Sequence, residues 1–234
     1  MILNKAAQVY DWVIMCGGEG NRLRPFTYII PKPFLTTNNI SPFEYIIQNI
    51  NRNKTNYIYV ALKYKYEIAK KIINNKNNSK IKIFLERKTS GTAGCLRNII
   101  KKKISKNFMV INGDIFAKIN FCKMMDYHKK NKYDVTVGIA EYQLSIPYAI
   151  LKRKNKKNYF HEKPFLKMKI NSGVYAVSKK FACDFFKQNN NNCVNMTDII
   201  NKTKKIGIYN IGKKWIDIGH INDFKKAYQQ IKQW

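Results

Sequence analysis

A short apolar run that ends in a cluster of glycines limits the possible folds of this chain more than any other feature. Residues 12–15 read WVIM and are followed at 17–20 by GGEG. A brief apolar run bounded by turn-forming residues is typical of a buried strand. Glycines at the end of a strand let the backbone approach a ligand closely, and their amides can bind phosphate oxygens. The sequence therefore predicts a buried strand that leads into a ligand-binding loop.

Helical and strand-like segments alternate after this loop. Apolar residues recur at i, i+3, i+4 and i+7 from Phe43 to Ile50, which indicates one face of an amphipathic helix. Strands that alternate with helices predict a mostly parallel sheet covered by helices. In the first half of the chain we expect strands at 57–62, 81–85 and 108–111, and helices at 43–50, 68–73 and 96–100.

The second half is richer in strand-like segments, so mixed pairing is expected there. The candidate strands are 135–140, 149–151, 159–160, 170–177, 206–211 and 215–218, with the basic stretch 152–158 as a hairpin-like turn; the candidate helices are 179–188, 197–204 and one from 222. The chain is thus predicted to be a single α/β domain over residues 12–234. Its sheet should be Rossmann-like, mixed but mostly parallel, and flanked by helices, with residues 1–11 as a linker-like segment.

The chain is strongly basic, with a formal net charge of +30, which by itself suggests a nucleic-acid or anionic-membrane partner. Only six of the 44 basic residues are arginine, the residue that performs most base-edge readout. Solvated surface lysines are the simpler interpretation, and no apolar run approaches the ~20 residues of a membrane-spanning helix. We therefore expect no nucleic-acid partner, no membrane partner and a cytoplasmic location.

Two cations follow the glycine loop. Arg22 is the second residue after it, and Lys32 lies in the PKPF segment at 31–34. The glycine spacing matches neither G-x-G-x-x-G nor G-x-x-x-x-G-K-[ST]. Cations beside a glycine loop nevertheless favour a polyphosphate over a neutral ligand.

Six motifs, in order along the chain, resemble those of the sugar-1-phosphate nucleotidylyltransferases, which make nucleotide sugars from a nucleoside triphosphate and a sugar 1-phosphate. The first motif is GGEGNRLRPFT followed by PKP, which is similar to the family's GG-x-G-x-RL-x-P-x-T. The others are GTAG at 91–94, NGD at 112–114, EKP at 162–164, NSGVY at 171–175 and WIDIG at 215–219. The resemblance implies the nucleotide-diphospho-sugar transferase fold, with residues 12–115 as a nucleotide-binding half and 116–234 as a sugar-binding half.

The resemblance also assigns roles to individual residues. Asp114 and Asp217 would bind Mg²⁺, a hard ion that takes carboxylate and phosphate oxygens. As catalytic residues, Arg22 would hold the departing pyrophosphate, Lys32 the α-phosphate region and Lys163 the phosphate of the sugar. The expected nucleotide-binding residues are Gly17, Gly18, Gly20, Arg22, Gly91 and Thr92, and the expected sugar-binding residues are Glu162, Lys163 and Asn171.

Within the family, the chain most resembles the glucosamine-1-phosphate guanylyltransferases of legionaminic acid biosynthesis, some of which carry paired CBS domains that do not occur in this sequence. The expected substrates are therefore GTP and glucosamine 1-phosphate or a related sugar, with heptose and mannose 1-phosphates as near alternatives. Uridylyl, thymidylyl or cytidylyl transfer to another phosphorylated acceptor, an idle regulatory homologue and a homo-oligomeric assembly stay open.

Two departures from the family pattern bear on the substrates. Ala149 replaces the glycine of the usual Pro-Tyr-Gly, so we expect a narrower sugar pocket. The segment 87–90 differs from the family's usual lead into GTAG, which leaves the choice of base unassigned.

Overall fold

Strands far apart in sequence form one central sheet. The structure is a computed structural model that describes residues 9–52, 55–88 and 90–234. Its strands are β1 (Trp12–Cys16), β2 (Ile58–Leu62), β3 (Ile81–Leu85), β4 (Asn107–Asn112), β5 (Ile115–Ala117), β6 (Val135–Ser145), β7 (Ile150–Lys154), β8 (Lys157–His161), β9 (Phe165–Ser178), β10 (Ile206–Asn210) and β11 (Trp215–Asp217). Seven of them lie side by side in the order β10, β6, β9, β4, β1, β2, β3.

The pairing directions confirm the predicted mixed, mostly parallel sheet. The strand β1 runs parallel to β2 and to β4, β2 runs parallel to β3, and β10 runs parallel to β6. Only β9 is antiparallel to its neighbours, β4 and β6. Because β1 and β4 are central and parallel, their carboxyl ends and the loops that follow lie side by side.

Helices cover both faces of the sheet, as the alternating pattern predicts. They are α1 (Pro42–Asn51), α2 (Tyr66–Asn74), α3 (Leu96–Ile99), α4 (Phe121–Lys130), α5 (Lys179–Gln188), α6 (Met196–Lys202) and α7 (Ile221–Gln230). One core cluster joins Trp12 and Ile14 to α1, α2 and α4, and a second joins Val13 to α3, α5 and α6. Side chains that alternate along β1 therefore anchor it from both sides. None of the helices in the described ranges is long and apolar enough to cross a membrane.

Three local features differ from the expectations. The basic stretch 152–158 is not a turn: it belongs to the β7–β8 hairpin, whose turn is only Asn155-Lys156, both residues having positive φ. The short strand β5 has no counterpart in the predictions and pairs with β11 in a small separate sheet. Tyr10 and Asp11, in the predicted linker, are buried, and Asp11 accepts hydrogen bonds from the Tyr57 and Ser105 amides. Residues 1–8 lie outside the described residues.

The strands β6 and β9 extend beyond the main sheet as a two-stranded ribbon of residues 140–145 and 165–170, which we call the β6–β9 arm. Cross-strand partners share a face, so Tyr142, Leu144, Leu166 and Met168 form one apolar face, each being between 38% and 44% exposed. The opposite face is polar and contains Glu141, Gln143, Lys167 and Lys169.

Candidate active site

The site forms where the central parallel strands end. In the register of β1 and β4, Met15 lies beside Asn112, so the glycine loop at 17–20 and the turn at 112–114 leave the sheet together. Ligands of open α/β sheets bind at this edge. The loop and the turn are the two motifs that the sequence predicts as phosphate-binding and metal-binding elements.

Asp114 and Asp217 come together although 103 residues separate them in sequence. The strand β11 pairs antiparallel with β5, and Asp217 lies opposite Ile115. The Lys32 ammonium lies between the two carboxylates, 2.7 Å from Asp114 Oδ2 and 3.2 Å from Asp217 Oδ1. Lys32 is only 7% exposed, so its ammonium is largely removed from water, whereas the side chains of Asp114 and Asp217 are 27% and 38% exposed.

The charges of Lys32, Asp114 and Asp217 affect the pKa values of Lys32 and Asp217. Burial raises the pKa of Asp217, and the neighbouring Asp114 raises it further, while Lys32 opposes both effects. Burial lowers the pKa of Lys32, but the two carboxylates outweigh burial and the resulting pKa is raised. Lys32 is therefore a firmly protonated cation between two acids.

The two carboxylates fit a divalent metal ion with oxygen ligands. Mg²⁺ is commonly bound by one or two carboxylates, with substrate phosphates and water completing the octahedron. Within the described residues no group of three His, Cys, Asp or Glu side chains could hold a metal ion by itself. Asp114 and Asp217 could thus hold Mg²⁺ only as part of a set that phosphate oxygens complete.

A cavity of about 460 Å³ opens beside the glycine loop. One of its glycines, Gly91, is required by sterics: it has φ +77°, and a Cβ there would collide with the Val194 carbonyl oxygen. A Cβ at Gly17 would lie 2.7 Å from Glu86 Oε2, so the Glu86 carboxylate lies against the glycine loop. The cavity is lined by all the predicted nucleotide-binding residues except Arg22, by Asp114, and by Met15, Glu19, Asn21, Lys63, Glu86, Ser90, Asn112 and Asn195.

Glu86 is the most informative cavity residue that the sequence predictions missed. It directly follows β3, and its Oε1 accepts a 2.6 Å hydrogen bond from Ser90 Oγ. Burial raises the pKa of Glu86, although Ser90 and Lys63 oppose the shift. A half-buried carboxylate between Gly17 and Gly91 can accept hydrogen bonds from the edge of a base.

Asn195 was also missed. It comes from the N-terminus of α6, and its Oδ1 accepts a hydrogen bond from the Thr92 amide. The Thr92 hydroxyl in turn accepts a hydrogen bond from the Met196 amide. Segment 91–92 is therefore held by a helix more than 100 residues away in sequence, a contact that only the topology reveals.

Arg22 lines a neighbouring cavity of about 320 Å³ with Lys32 and Asp114. Its guanidinium donates a 3.1 Å hydrogen bond to His220 Nε2 and lies against Gly219. Arg22 is exposed at the mouth of the site, and Lys32 is buried at its base. The two predicted phosphate-binding cations thus flank the glycine loop at different depths.

The predicted sugar-binding residues lie apart from these two cavities. Glu162 and Lys163 are exposed in the connection between β8 and β9, where Lys163 has φ +40°. Asn171 is exposed on β9, and its Oδ1 accepts a hydrogen bond from the Gly173 amide. Neither cavity is lined by any of the three. Ala149 is exposed just before β7. The roles of these residues stay predictions.

The chain is similar to several characterised nucleotidyltransferases. It is 25% identical to a D-glycero-α-D-manno-heptose 1-phosphate guanylyltransferase of Aneurinibacillus thermoaerophilus, over 95% of this chain and 98% of the relative. It is 32% identical to the bifunctional protein GlmU of Methanococcus aeolicus, over 94% of this chain but only 54% of that longer relative. The structure superimposes on that of HddC from Yersinia pseudotuberculosis with a TM-score of 0.70 and 27% identity, covering 95% of this chain and 99% of HddC.

The family assignment rests on a match along almost the whole chain. The family described as nucleotidyl transferase matches residues 12–233, which include every motif discussed above. The fold and the strand-end site agree with that match. The chain therefore belongs to the nucleotidyl transferase family, as the resemblance of its motifs to the sugar-1-phosphate nucleotidylyltransferases predicts.

Proposed function

We propose that this enzyme transfers GMP from GTP to a sugar 1-phosphate and releases pyrophosphate. The observation that carries the choice of GTP is the Glu86 carboxylate in the nucleotide cavity. Guanine presents two adjacent donors, N1–H and the N2 amino group, which one carboxylate can accept together. Uracil and thymine offer a single N–H between two carbonyls, and cytosine and adenine place a ring acceptor beside their amino group. Guanine is thus the base that best complements Glu86.

The comparisons support the same choice. The HddC structure was also determined as a complex with GMP-PN, and this chain superimposes on that complex with a TM-score of 0.68 and 25% identity. The relative from Aneurinibacillus thermoaerophilus is a heptose 1-phosphate guanylyltransferase. We propose a sugar 1-phosphate of this kind as the acceptor, with glucosamine, heptose and mannose 1-phosphates as the first three to test.

The reaction needs positioning more than a nucleophile from the protein. An oxygen of the sugar 1-phosphate attacks the α-phosphorus of GTP and forms a new P–O bond. The bond from the α-phosphorus to the α–β bridging oxygen breaks, and pyrophosphate leaves with the electron pair. Because the attacking oxygen is already anionic, no proton has to be removed. The protein must align the groups and offset their negative charge.

The described residues are suited to these tasks. We propose that the glycine-loop amides and Arg22 bind the β- and γ-phosphates, that Lys32 meets the α-phosphate, and that Asp114 and Asp217 hold Mg²⁺. Bound there, Mg²⁺ would supply charge neutralisation at the phosphate oxygens. Lys163, Glu162 and Asn171 are proposed to bind the sugar phosphate. All five cysteines are free thiols, which suits a reducing compartment, and we propose a cytoplasmic enzyme.

A pyrophosphate-release screen tests the function. Purified protein with Mg²⁺ is incubated with GTP, UTP, CTP, dTTP or ATP, each crossed with glucosamine, mannose, glucose and heptose 1-phosphates. We expect release with GTP and one sugar 1-phosphate, and loss of at least about a thousandfold in Asp114→Asn and Asp217→Asn because the metal ligands are removed. Folded wild-type protein that is silent with every pair would instead favour the idle homologue or an acceptor of another class.

A further inference from the structure

Lys32 occupies the space that a metal ion shared by Asp114 and Asp217 would need. One ammonium contacts both carboxylates, at 2.7 Å and 3.2 Å, and its side chain is 9% exposed. An ion that bridges Asp114 Oδ2 and Asp217 Oδ1 would lie between these two oxygens, where the Lys32 nitrogen lies. The ammonium and the metal ion therefore cannot occupy this position together.

The backbone around Lys32 is fixed, but its ammonium can move. Lys32 is the first residue of a short 3-10 helix, Lys32–Phe34, and its two neighbours in sequence are Pro31 and Pro33. Residues 31–34 are all buried. Proline restricts the backbone, so a change in the position of the ammonium must come from the flexible four-carbon stem. The cavity beside it is lined by Gly18, Gly20 and Arg22, which are the groups suited to phosphate. A phosphate bound there would offer the ammonium another set of anionic oxygens.

We infer that Lys32 keeps the Asp114–Asp217 pair closed to free divalent metal until nucleotide phosphate draws its ammonium away. Metal then enters together with the nucleotide rather than before it. The nucleotide-free site already holds an internal cation, so a free ion gains little by entering and must displace a buried ammonium that contacts both carboxylates. The inference rests on the proposed function only in taking these two aspartates as the metal ligands.

The test uses Mn²⁺ as a paramagnetic substitute for Mg²⁺. Electron paramagnetic resonance measures how tightly Mn²⁺ alone binds to the nucleotide-free protein. Wild type should bind Mn²⁺ weakly, and Lys32→Met should bind it at least about tenfold more tightly because two carboxylates lose their counter-ion. Lys180→Met removes an equal charge from an exposed position on α5 and should bind like wild type. Equal or weaker binding by Lys32→Met overturns the inference.

Two further readouts keep the test decisive. Added Mn²⁺ should raise the melting temperature of Lys32→Met but not that of wild type. Such a rise would show that the variant is folded and that Mn²⁺ replaces the positive charge of the lost ammonium. For wild type alone, Mn²⁺ should be retained in dialysis only when a non-hydrolysable GTP analogue is present, and tight retention without it contradicts the inference even if the variant does not fold. Pyrophosphate release is measured separately, so an inactive protein that excludes Mn²⁺ refutes the proposed function and not the role of Lys32.

Discussion

Glu86 is the residue on which the proposed choice of GTP depends. Its carboxylate lies against Gly17, so a base that reached the acceptor oxygens would lie next to a glycine backbone. The Ser90 hydroxyl fixes one carboxylate oxygen through its hydrogen bond to Oε1. This arrangement presents Glu86 in one orientation to an incoming base.

Glu86→Gln should reduce kcat/KM for GTP by about 5- to 150-fold, the range expected for one bidentate contact. The amide keeps one acceptor but turns a donor toward the donors of guanine. Activity with the other nucleoside triphosphates should change far less, as measured by pyrophosphate release with each of them. Glu67→Gln, an exposed glutamate on α2, is the matched control. An equal loss with all nucleotides would mean that Glu86 supports the loop and does not read the base.

Several residues that ordered motifs predict as one site lie close together in the structure, while their roles stay predictions. The glycine loop, Lys32, Asp114 and Asp217 were predicted from ordered motifs, and the structure brings them together. Glu86 was missed because segment 87–90 departs from the family pattern. Asn195 and His220 were missed because their partners, Thr92 and Arg22, lie over 100 residues away in sequence. Such contacts depend on the topology and leave no local pattern.

At the scale of elements, helix α1 has a complete N-terminal capping motif. Ser41 Oγ accepts a hydrogen bond from the Glu44 amide, the Ser41 amide donates to Glu44 Oε2, and Pro42 occupies the first turn. Glu44 also forms an ion pair with Lys76. Only seven residues separate the short helix that contains Lys32 from α1, and Phe34 of that short helix packs against Phe43 of α1. The N-terminus of α1 therefore helps to hold the backbone near Lys32 in place.

Ser41→Ala should lower the free energy of unfolding by about 1–2 kcal/mol, since a buried N-cap loses its side chain. Urea unfolding followed by circular dichroism measures the change. Ser41→Gly should cost only a few tenths of a kcal/mol from the cap itself. Equal stability of the alanine variant and wild type would show that the cap is dispensable here. The kcat should stay unchanged because the hydrogen bonds described for the Ser41 side chain go to Glu44, within the start of α1.

Element bounds were predicted accurately where the apolar period was strong. The strand β3 and helix α5 have the predicted bounds, β1 and β2 differ by one residue at one end, and β4 differs by one residue at each end. The strands of the exposed β7–β8 hairpin were predicted too short, with 152–158 assigned to the turn, because these basic residues carry no apolar alternation. The three-residue strand β5 is too short to show any period, and only pairing with β11 defines it.

At the scale of the whole molecule, a buried histidine links the sheet to α4. His128 is 1% exposed, and its two ring nitrogens contact Thr136 Oγ1 at 2.9 Å and Asn107 Oδ1 at 3.2 Å. Burial, aided by Lys129, lowers the pKa of His128 to about 4. The folded protein therefore holds this ring neutral at a pH where the unfolded chain protonates it.

The free energy of unfolding should fall as the pH decreases from about 6.5 toward 4. In this range His128 binds a proton in the unfolded chain but stays neutral in the folded protein. A shift of this size corresponds to at most about 3 kcal/mol, and it has no effect above pH ~6.5. Urea unfolding at several pH values measures the slope. His128→Gln should flatten it, whereas His161→Gln, at an exposed position, should not. The same slope in His128→Gln would assign acid sensitivity to other groups.

The sequence predicts that the sheet is mixed and mostly parallel, but it does not predict the order of the strands. Alternating segments indicated a mostly parallel sheet, yet nothing in them placed β9 between β4 and β6 or β10 at the edge. Those neighbours are set by long-range packing of two core clusters on opposite faces. In this sheet the antiparallel strand β9 lies between β4 and β6, and so joins the predicted nucleotide-binding half to the predicted sugar-binding half.

The β6–β9 arm has a consequence for the behaviour of the protein in concentrated solution. Beyond the main sheet its two strands pair only with each other, so both outer edges and one apolar face can template contacts with another chain. The net charge of +30, with lysines along the neighbouring hairpin, keeps such chains apart by repulsion. That protection has a range of about 8 Å at physiological ionic strength and shrinks as salt is added. Light scattering should therefore show this protein staying dispersed at low ionic strength and associating as salt rises, with Leu144→Lys and Leu166→Lys widening the dispersed range.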